Sequence, residues 1–386
     1  MDNSNSNSAA NSRNSARSAI LHSAAKQQFS LLHSVAESRN SNRLEWLDAM
    51  RGFTMILVVM YHVFTTGFTG NVQKGTAITF MMLFRMPTFF FISGFLAYKA
   101  LAVWTGEYLG SMLWKKVKVQ LIPTIVFLTA FLMLMKPKFW PAFEAAMASP
   151  TKAGYWFCWG LLQMFVIYYL ISYLLERLKI KSVWPWIVVW LASVAVYATL
   201  YMPSWFHWHK AAFWQYSSLV RTAEYFQFFI AGTLVHRFWK PLCRVMDSRW
   251  LFPVLIIVAF YCTVENYHWH HFRRQWANLP RTIDIYALVM ILLMFFRYYE
   301  SWFTKERWVG RSLQYIGVRT LDVYLIHFFF LPHLPMIGAW LKGAGRNFVL
   351  ETSVTMAMSL LVIAFSLLTS NILRVSPFLK KWLFGR

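Results

Sequence analysis

Ten continuous apolar stretches divide this chain, and they leave it few folds to choose from. They cover residues 52–68, 78–98, 119–135, 155–175, 183–201, 217–235, 250–264, 282–298, 312–331 and 348–368. An α-helix rises about 1.5 Å per residue, so roughly 20 such residues span a hydrocarbon core about 30 Å thick. Because the runs are unbroken rather than alternating, a β-barrel is excluded. The pattern predicts an all-α polytopic membrane protein with about ten transmembrane helices in one bundle. No internal repeat is visible, so an inverted-repeat transporter has no positive support.

Charge orients the bundle. Only 14% of the 386 residues are charged, and 58% are hydrophobic, against about 25% charged in a soluble domain. The net charge of +23 invites a nucleic-acid reading. However, the basic residues form short runs between apolar stretches, which suits loops facing anionic lipid and not nucleic acid. With the N-terminus in the cytoplasm, the tail and inner connections carry 25 of the 38 Lys and Arg and the outer connections 10. Arg85, Arg221 and Arg319 fall inside spans. The inner excess predicts that both termini are cytoplasmic. Residues 1–43 are Ser/Asn-rich and read as a disordered cytoplasmic tail, 44–373 as the membrane domain, and 374–386 as a basic-aromatic tail suited to the interface. Cys158, Cys243 and Cys262 have no metal-ligand spacing, and a Cys158–Cys262 disulfide is only a minor alternative.

Within the first stretch, Arg51 and His62 stand eleven residues apart. Eleven helical steps overshoot three full turns by roughly 20°, so the two share a face about 16 Å apart along the axis. Both side chains are costly against lipid, which turns that face inward. His62 lies near mid-membrane and titrates in the range proton transfer needs, so it is the candidate catalytic base. A packing histidine bonded to a carbonyl is the alternative. Arg51, near the cytoplasmic interface, suits a phosphate or lipid headgroups. Asp48 suits a helix cap or a partner for Arg51.

Arg85 sits seven residues into the second stretch, too deep for a loop charge, beside a Met86-Pro87 step able to break the helix and bare carbonyls. Arg221 and Glu224 have the spacing of an internal ion pair. In the ninth stretch Tyr324 and His327 share a face, whereas Asp322 is rotated about 140° from His327, which argues against a triad on that helix. His207, His209, His268, His270 and His271 lie in loops among tryptophans and mark a wet interface more simply than a metal site, so no metal is expected.

Taken together, these motifs resemble acyltransferase family 3, the integral membrane O-acyltransferases of surface and periplasmic glycans. The resemblance rests on Leu47-Asp48-Ala49-Met50-Arg51-Gly52 with His62, then Arg85-Met86-Pro87 running into Phe89-Phe90-Phe91-Ile92-Ser93-Gly94-Phe95. The basic run ending at Pro123, Tyr155-Trp156-Phe157, Phe228-Phe229-Ile230-Ala231-Gly232, and Ile316-Gly317 leading to Tyr324-Leu325-Ile326-His327 extend it in order.

The resemblance implies an enzyme transferring an acyl group other than aminoacyl, in the bacterial inner membrane. The donor is cytoplasmic acyl-CoA, acetyl-CoA above all, and the acceptor is a carbohydrate or lipid-linked glycan on the outer side. No tightly bound cofactor is expected. In the implied mechanism Arg51, Lys115, Lys116 and Lys118 hold donor phosphates and His62 takes the acceptor proton. Arg85 or Tyr324 offsets oxyanion charge, with His327 the second candidate base. A covalent step on Ser93 or a histidine stays open. The aromatic start of the fourth stretch also resembles relatives that succinylate periplasmic glucans. Outside the enzymes, a polysaccharide or small-molecule transporter is the competing reading.

Overall fold

The computed structural model describes residues 44–70, 77–200, 208–268, 278–343 and 347–384. The chain divides into two units, Met1–Glu45 and Trp46–Arg386, and only two residues of the first are described. The tail over 1–43 and the loop residues His207, His270 and His271 lie outside the described residues.

Every regular element among the described residues is helical. The first span is α1 (Glu45–His62), which continues as a π-helical turn over Val63–Gly67. It is followed by α2 (Ala77–Ala97), and by α3 (Gly106–Lys116) running through a second π turn, Val117–Leu121, into α4 (Ile122–Met135). Next come α5 (Phe139–Ala148), α6 (Trp156–Arg177), α7 (Trp184–Thr199) and the short α8 (Ala212–Ser217). Then follow α9 (Leu219–Arg237), α10 (Trp239–Met246), α11 (Leu251–His268) and α12 (Asn278–Tyr298). The C-terminal part holds α13 (Trp308–Val318), α14 (Thr320–Ile326), a 3₁₀ turn over His327–Phe330, and α15 (Pro335–Gly343). It closes with α16 (Phe348–Leu373) and α17 (Pro377–Phe384).

Each of the ten apolar stretches falls on helix, but fewer form continuous spans. Among the described residues, five are long and apolar enough to cross a membrane: Glu45–Gly67, Phe80–Ala97, Gly106–Met135, Trp156–Arg177 and Phe348–Leu373. Counting two bent pairs as one span each raises the number to seven. The expectation of about ten is therefore met only in part. The ninth stretch accounts for one shortfall. It breaks at Arg319 and again at His327, and Thr320–Phe330 meets Pro335–Leu341 at 97°. The seventh stretch pairs with α10 across an 83° elbow. The helices α9 and α12 keep charges such as Arg221, Glu224, Arg281 and Asp284.

Two helix crossings set the frame. A Cβ on Gly52 of α1 would collide with the Leu313 carbonyl of α13, and one on Gly317 with the Asp48 carbonyl of α1. Gly94 of α2 meets the Phe229 backbone of α9 in the same manner, and Gly232 meets Phe91. Small residues let membrane helices approach backbone to backbone, where close packing supplies the attraction that lipid cannot. The first crossing ties the Arg51 end of α1 to the helix leading into α14. The second fixes the part of α2 beyond Arg85. Cys158, Cys243 and Cys262 are all free thiols, so the disulfide alternative is absent.

Candidate active site

α1 ends at His62, and the wider π turn after it interrupts the regular ladder, a device found at functional sites. The His62 ring packs 5.2 Å from His327, 5.0 Å from Phe328 and 5.1 Å from Tyr61, centroid to centroid. No hydrogen bond to its nitrogens occurs among the described residues, and it stays partly exposed. A packing histidine would have a carbonyl partner. His62 has none there.

His327 has those partners instead. The break at Arg319 starts α14 afresh, and the 3₁₀ turn at its end turns His327 and Phe328 toward α1. Tyr324 and His327 share a face, with rings 5.9 Å apart. His327 is fully buried, and its Nδ1 lies 3.0 Å from the Val323 carbonyl and 2.8 Å from the Tyr324 carbonyl. Carbonyls only accept, so Nδ1 carries the proton and Nε2 is a bare acceptor. Nε2 is buried with no hydrogen-bond partner.

Arg85 completes the cluster. Its guanidinium lies 3.8 Å from the Tyr61 ring centroid and interacts electrostatically with Tyr225, Tyr324 and His62. The side chain is buried and its Nε is unpartnered. No carboxylate pairs with it among the described residues. Aromatic faces offset part of the cost of burying this guanidinium, and no anionic partner accompanies them among the described residues. Contrary to the expected break at Met86-Pro87, α2 runs through Pro87 as one helix. Pro87 still lacks an N–H, so the Leu83 carbonyl loses its ladder partner without a broken helix.

Tyr324 is already engaged. Its hydroxyl donates to the Gly154 carbonyl and accepts from the Phe157 amide at 3.2 Å. With its one proton committed, Tyr324 fits a holding role better than an oxyanion donor, and Arg85 remains for the charge. Asp322 lies apart from the histidines, paired with Arg374 at 2.6 Å and bonded by Ser370 at 2.7 Å. Arg221 and Glu224 form the expected ion pair at 2.8 Å. Ser93 makes no hydrogen bond to either histidine.

A second group gathers at the other end of α1. Arg51 bonds Asp48 at 3.3 Å and the Thr320 hydroxyl at 3.1 Å. Asp48 lies inside α1, three residues beyond its first, and pairs with Arg51. The run holding Lys115, Lys116 and Lys118 was expected as a loop but is helical, because the third span extends back to Gly106. Lys116 sits 3.2 Å over the Phe165 ring, within electrostatic reach of Lys115, Arg51 and Lys99. Lys118 stands 5.8 Å from the Trp114 ring and is exposed.

The structure thus brings His62, Arg85, Tyr324 and His327 together, and separately Arg51 with Lys115 and Lys116. Sequence reasoning missed Tyr61, Gly154, Tyr225 and Phe328. Only two carried a signal: Tyr61 is adjacent to His62, and Phe328 to His327. No group of three or more His, Cys, Asp or Glu able to hold a metal occurs among the described residues.

Among the described residues, all of them helical or connecting, the half-buried His62 of the first span meets a buried histidine and a buried arginine with no carboxylate partner, a costly grouping for a membrane protein. A family model described as an acyltransferase domain, that of acyltransferase family 3, matches residues 44–371, and the chain belongs to that family. Comparisons with curated proteins and with solved structures gave no match. The protein is a membrane acyltransferase.

Proposed function

We propose that this protein moves an acetyl group from cytoplasmic acetyl-CoA to a hydroxyl of a surface or periplasmic glycan, in the bacterial inner membrane with both termini cytoplasmic. The observation that carries the proposal is the arrangement along α1. A cation group surrounds Arg51 at one end and the His62–His327–Arg85 cluster sits about 16 Å further along the same helix.

Arg51, Lys115 and Lys116, joined by Lys99 and by Lys118 at the exposed edge, hold the donor phosphates. The acyl arm then lies along α1 toward His62. His62 removes the proton of the acceptor hydroxyl as the oxygen attacks the thioester carbonyl. Arg85 offsets the negative charge that develops on the carbonyl oxygen. As the tetrahedral intermediate collapses, the carbon–sulfur bond breaks, and the imidazolium of His62 returns its proton to the departing thiolate. The ester leaves on the acceptor side and free CoA on the donor side. His327, with a bare Nε2, is the neighbouring base that shares the proton load.

The test is acyl-donor-dependent esterification in vesicles that contain the full chain, with mass analysis of glycans from cells with and without the gene. An added acetyl ester supports the reading, and an added succinyl ester redirects it to a succinyltransferase. Glycan movement without thioester consumption contradicts it in favour of a transporter.

A further inference from the structure

The segment between α5 and α6 places a lysine where none is expected. Lys152 is 1% exposed, and no carboxylate pairs with it among the described residues. Its ammonium donates to the Met147 carbonyl and, at 2.7 Å, to the Tyr216 carbonyl. Both carbonyls belong to last turns, of α5 and α8 respectively, where the helical ladder leaves acceptors without a donor and the dipole favours a cation. Burial lowers the pKa of this amine, a cost that a merely space-filling side chain would not carry.

The backbone here is equally unusual. Lys152, Ala153 and Gly154 have φ of +47°, +52° and +100°. Three successive residues in the left-handed region, two of them with a Cβ, persist only when the surroundings hold them. The turn is what reaches the site. The Gly154 carbonyl accepts from Tyr324, and a Cβ on Gly154 would collide with the Phe328 ring. Next along the chain, the Tyr155 hydroxyl donates to the Leu325 carbonyl at 3.0 Å and the Phe157 amide donates to Tyr324. Phe328 in turn packs on both His62 and His327, at 5.0 and 4.0 Å.

We propose that Lys152 is a positioning residue. By capping α5 and α8 it locks the left-handed turn over 152–154, and the turn fixes Tyr324 and Phe328 against the His62–His327 pair. The proposal rests on the acyl-transfer reading for its catalytic consequence, while the mechanical coupling stands on the contacts alone. Lys152 touches no reacting atom in this scheme.

The test uses the full chain in lipid nanodiscs with Lys152→Met, which keeps length and apolar volume but removes the charge. Amide hydrogen exchange is followed over 152–157 and over 320–328. Losing two charge-assisted bonds should speed exchange in both segments on the order of tenfold, the Phe157 amide included. Tyr324→Phe should do the same to 152–157 in the reverse direction, which keeps the test available if Lys152→Met does not fold. Faster exchange confined to 152–157 would overturn the coupling.

Transfer is measured alongside with acetyl-CoA. Lys152→Met should lower turnover per folded protein by 10- to 100-fold, as an order of magnitude, at unchanged donor KM. Adding Tyr324→Phe should lower it little further, because both act through one contact. Normal turnover of Lys152→Met, or additive losses, would also overturn the proposal. A wild-type chain that transfers nothing counts against the acyl-transfer reading, and the exchange data then decide the coupling by themselves.

Discussion

His62 and His327 lie 5.2 Å apart as rings and differ in what holds them. His327 donates to two backbone carbonyls, so its tautomer is set. His62 is held by ring contacts with Tyr61, His327 and Phe328, which leaves its nitrogens for chemistry. That His62 and Arg85 turn inward was readable from the sequence, because a charged or titratable residue deep in an apolar run is costly against lipid. The role of Tyr324 was not, because its partner is a backbone carbonyl 170 residues away, and a carbonyl leaves no mark in a sequence. Asp48 and Thr320 both bond Arg51 and orient the guanidinium. Arg51→Ala should raise the donor KM about tenfold or more, and Arg51→Lys should recover only part of it because the planar fork is lost. Equal donor KM in all three proteins would return Arg51 to a headgroup anchor.

Helices were legible as elements and much less so as spans. Apolar length gave the position of the long helices, but the shorter ones over Gly106–Lys116, Phe139–Ala148, Trp239–Met246 and Pro335–Gly343 fall in segments read as connections, and the break at Arg319 and the elbow after Met246 escape a count of apolar residues. Gly52 and Gly317 were visible as residues, while their meeting was not, since it joins segments far apart in the chain. At that crossing neither backbone has room to yield. Gly52→Ala or Gly317→Ala should therefore cost about 3 kcal/mol, the upper end of ordinary overpacking. Gly106→Ala, where a Cβ meets nothing within 4 Å, is the neutral control, and thermal midpoints in detergent check all three. At the elbow, Arg297 grips Asp247 with bonds of 2.7 and 3.2 Å. The hydrogen bond from Arg297 holds the Asp247 carboxyl below the usual carboxylate range. A depressed folded value stabilises above the unfolded pKa of about 3.9 and fades as pH falls through the folded value. The difference in thermal midpoint between wild type and Arg297→Gln should accordingly be full above about pH 4 and vanish in stronger acid. A difference that does not change with pH would contradict this.

At the scale of the whole molecule, one helix links two regions of different chemistry. The cations around Arg51 suit a soluble, phosphate-bearing donor, and the histidine–arginine cluster suits a transfer step shielded from bulk water. The continuous Gly106–Met135 span starts near the basic run and ends short of Lys138, so Lys115 and Lys138 belong on opposite faces of the membrane in the proposed topology. That topology makes donor access one-sided, and sided vesicles can show it. The most direct measurement is acyl transfer per folded protein for His62→Gln, with acetyl-CoA supplied on the Lys115 face and donor binding measured in parallel. Glutamine keeps much of the size of histidine but accepts no proton near neutral pH. Transfer should fall by a factor on the order of 10²–10⁴ while donor affinity and folded yield stay near wild type. Near-normal transfer by His62→Gln would contradict the central claim and move the search for the base to His327.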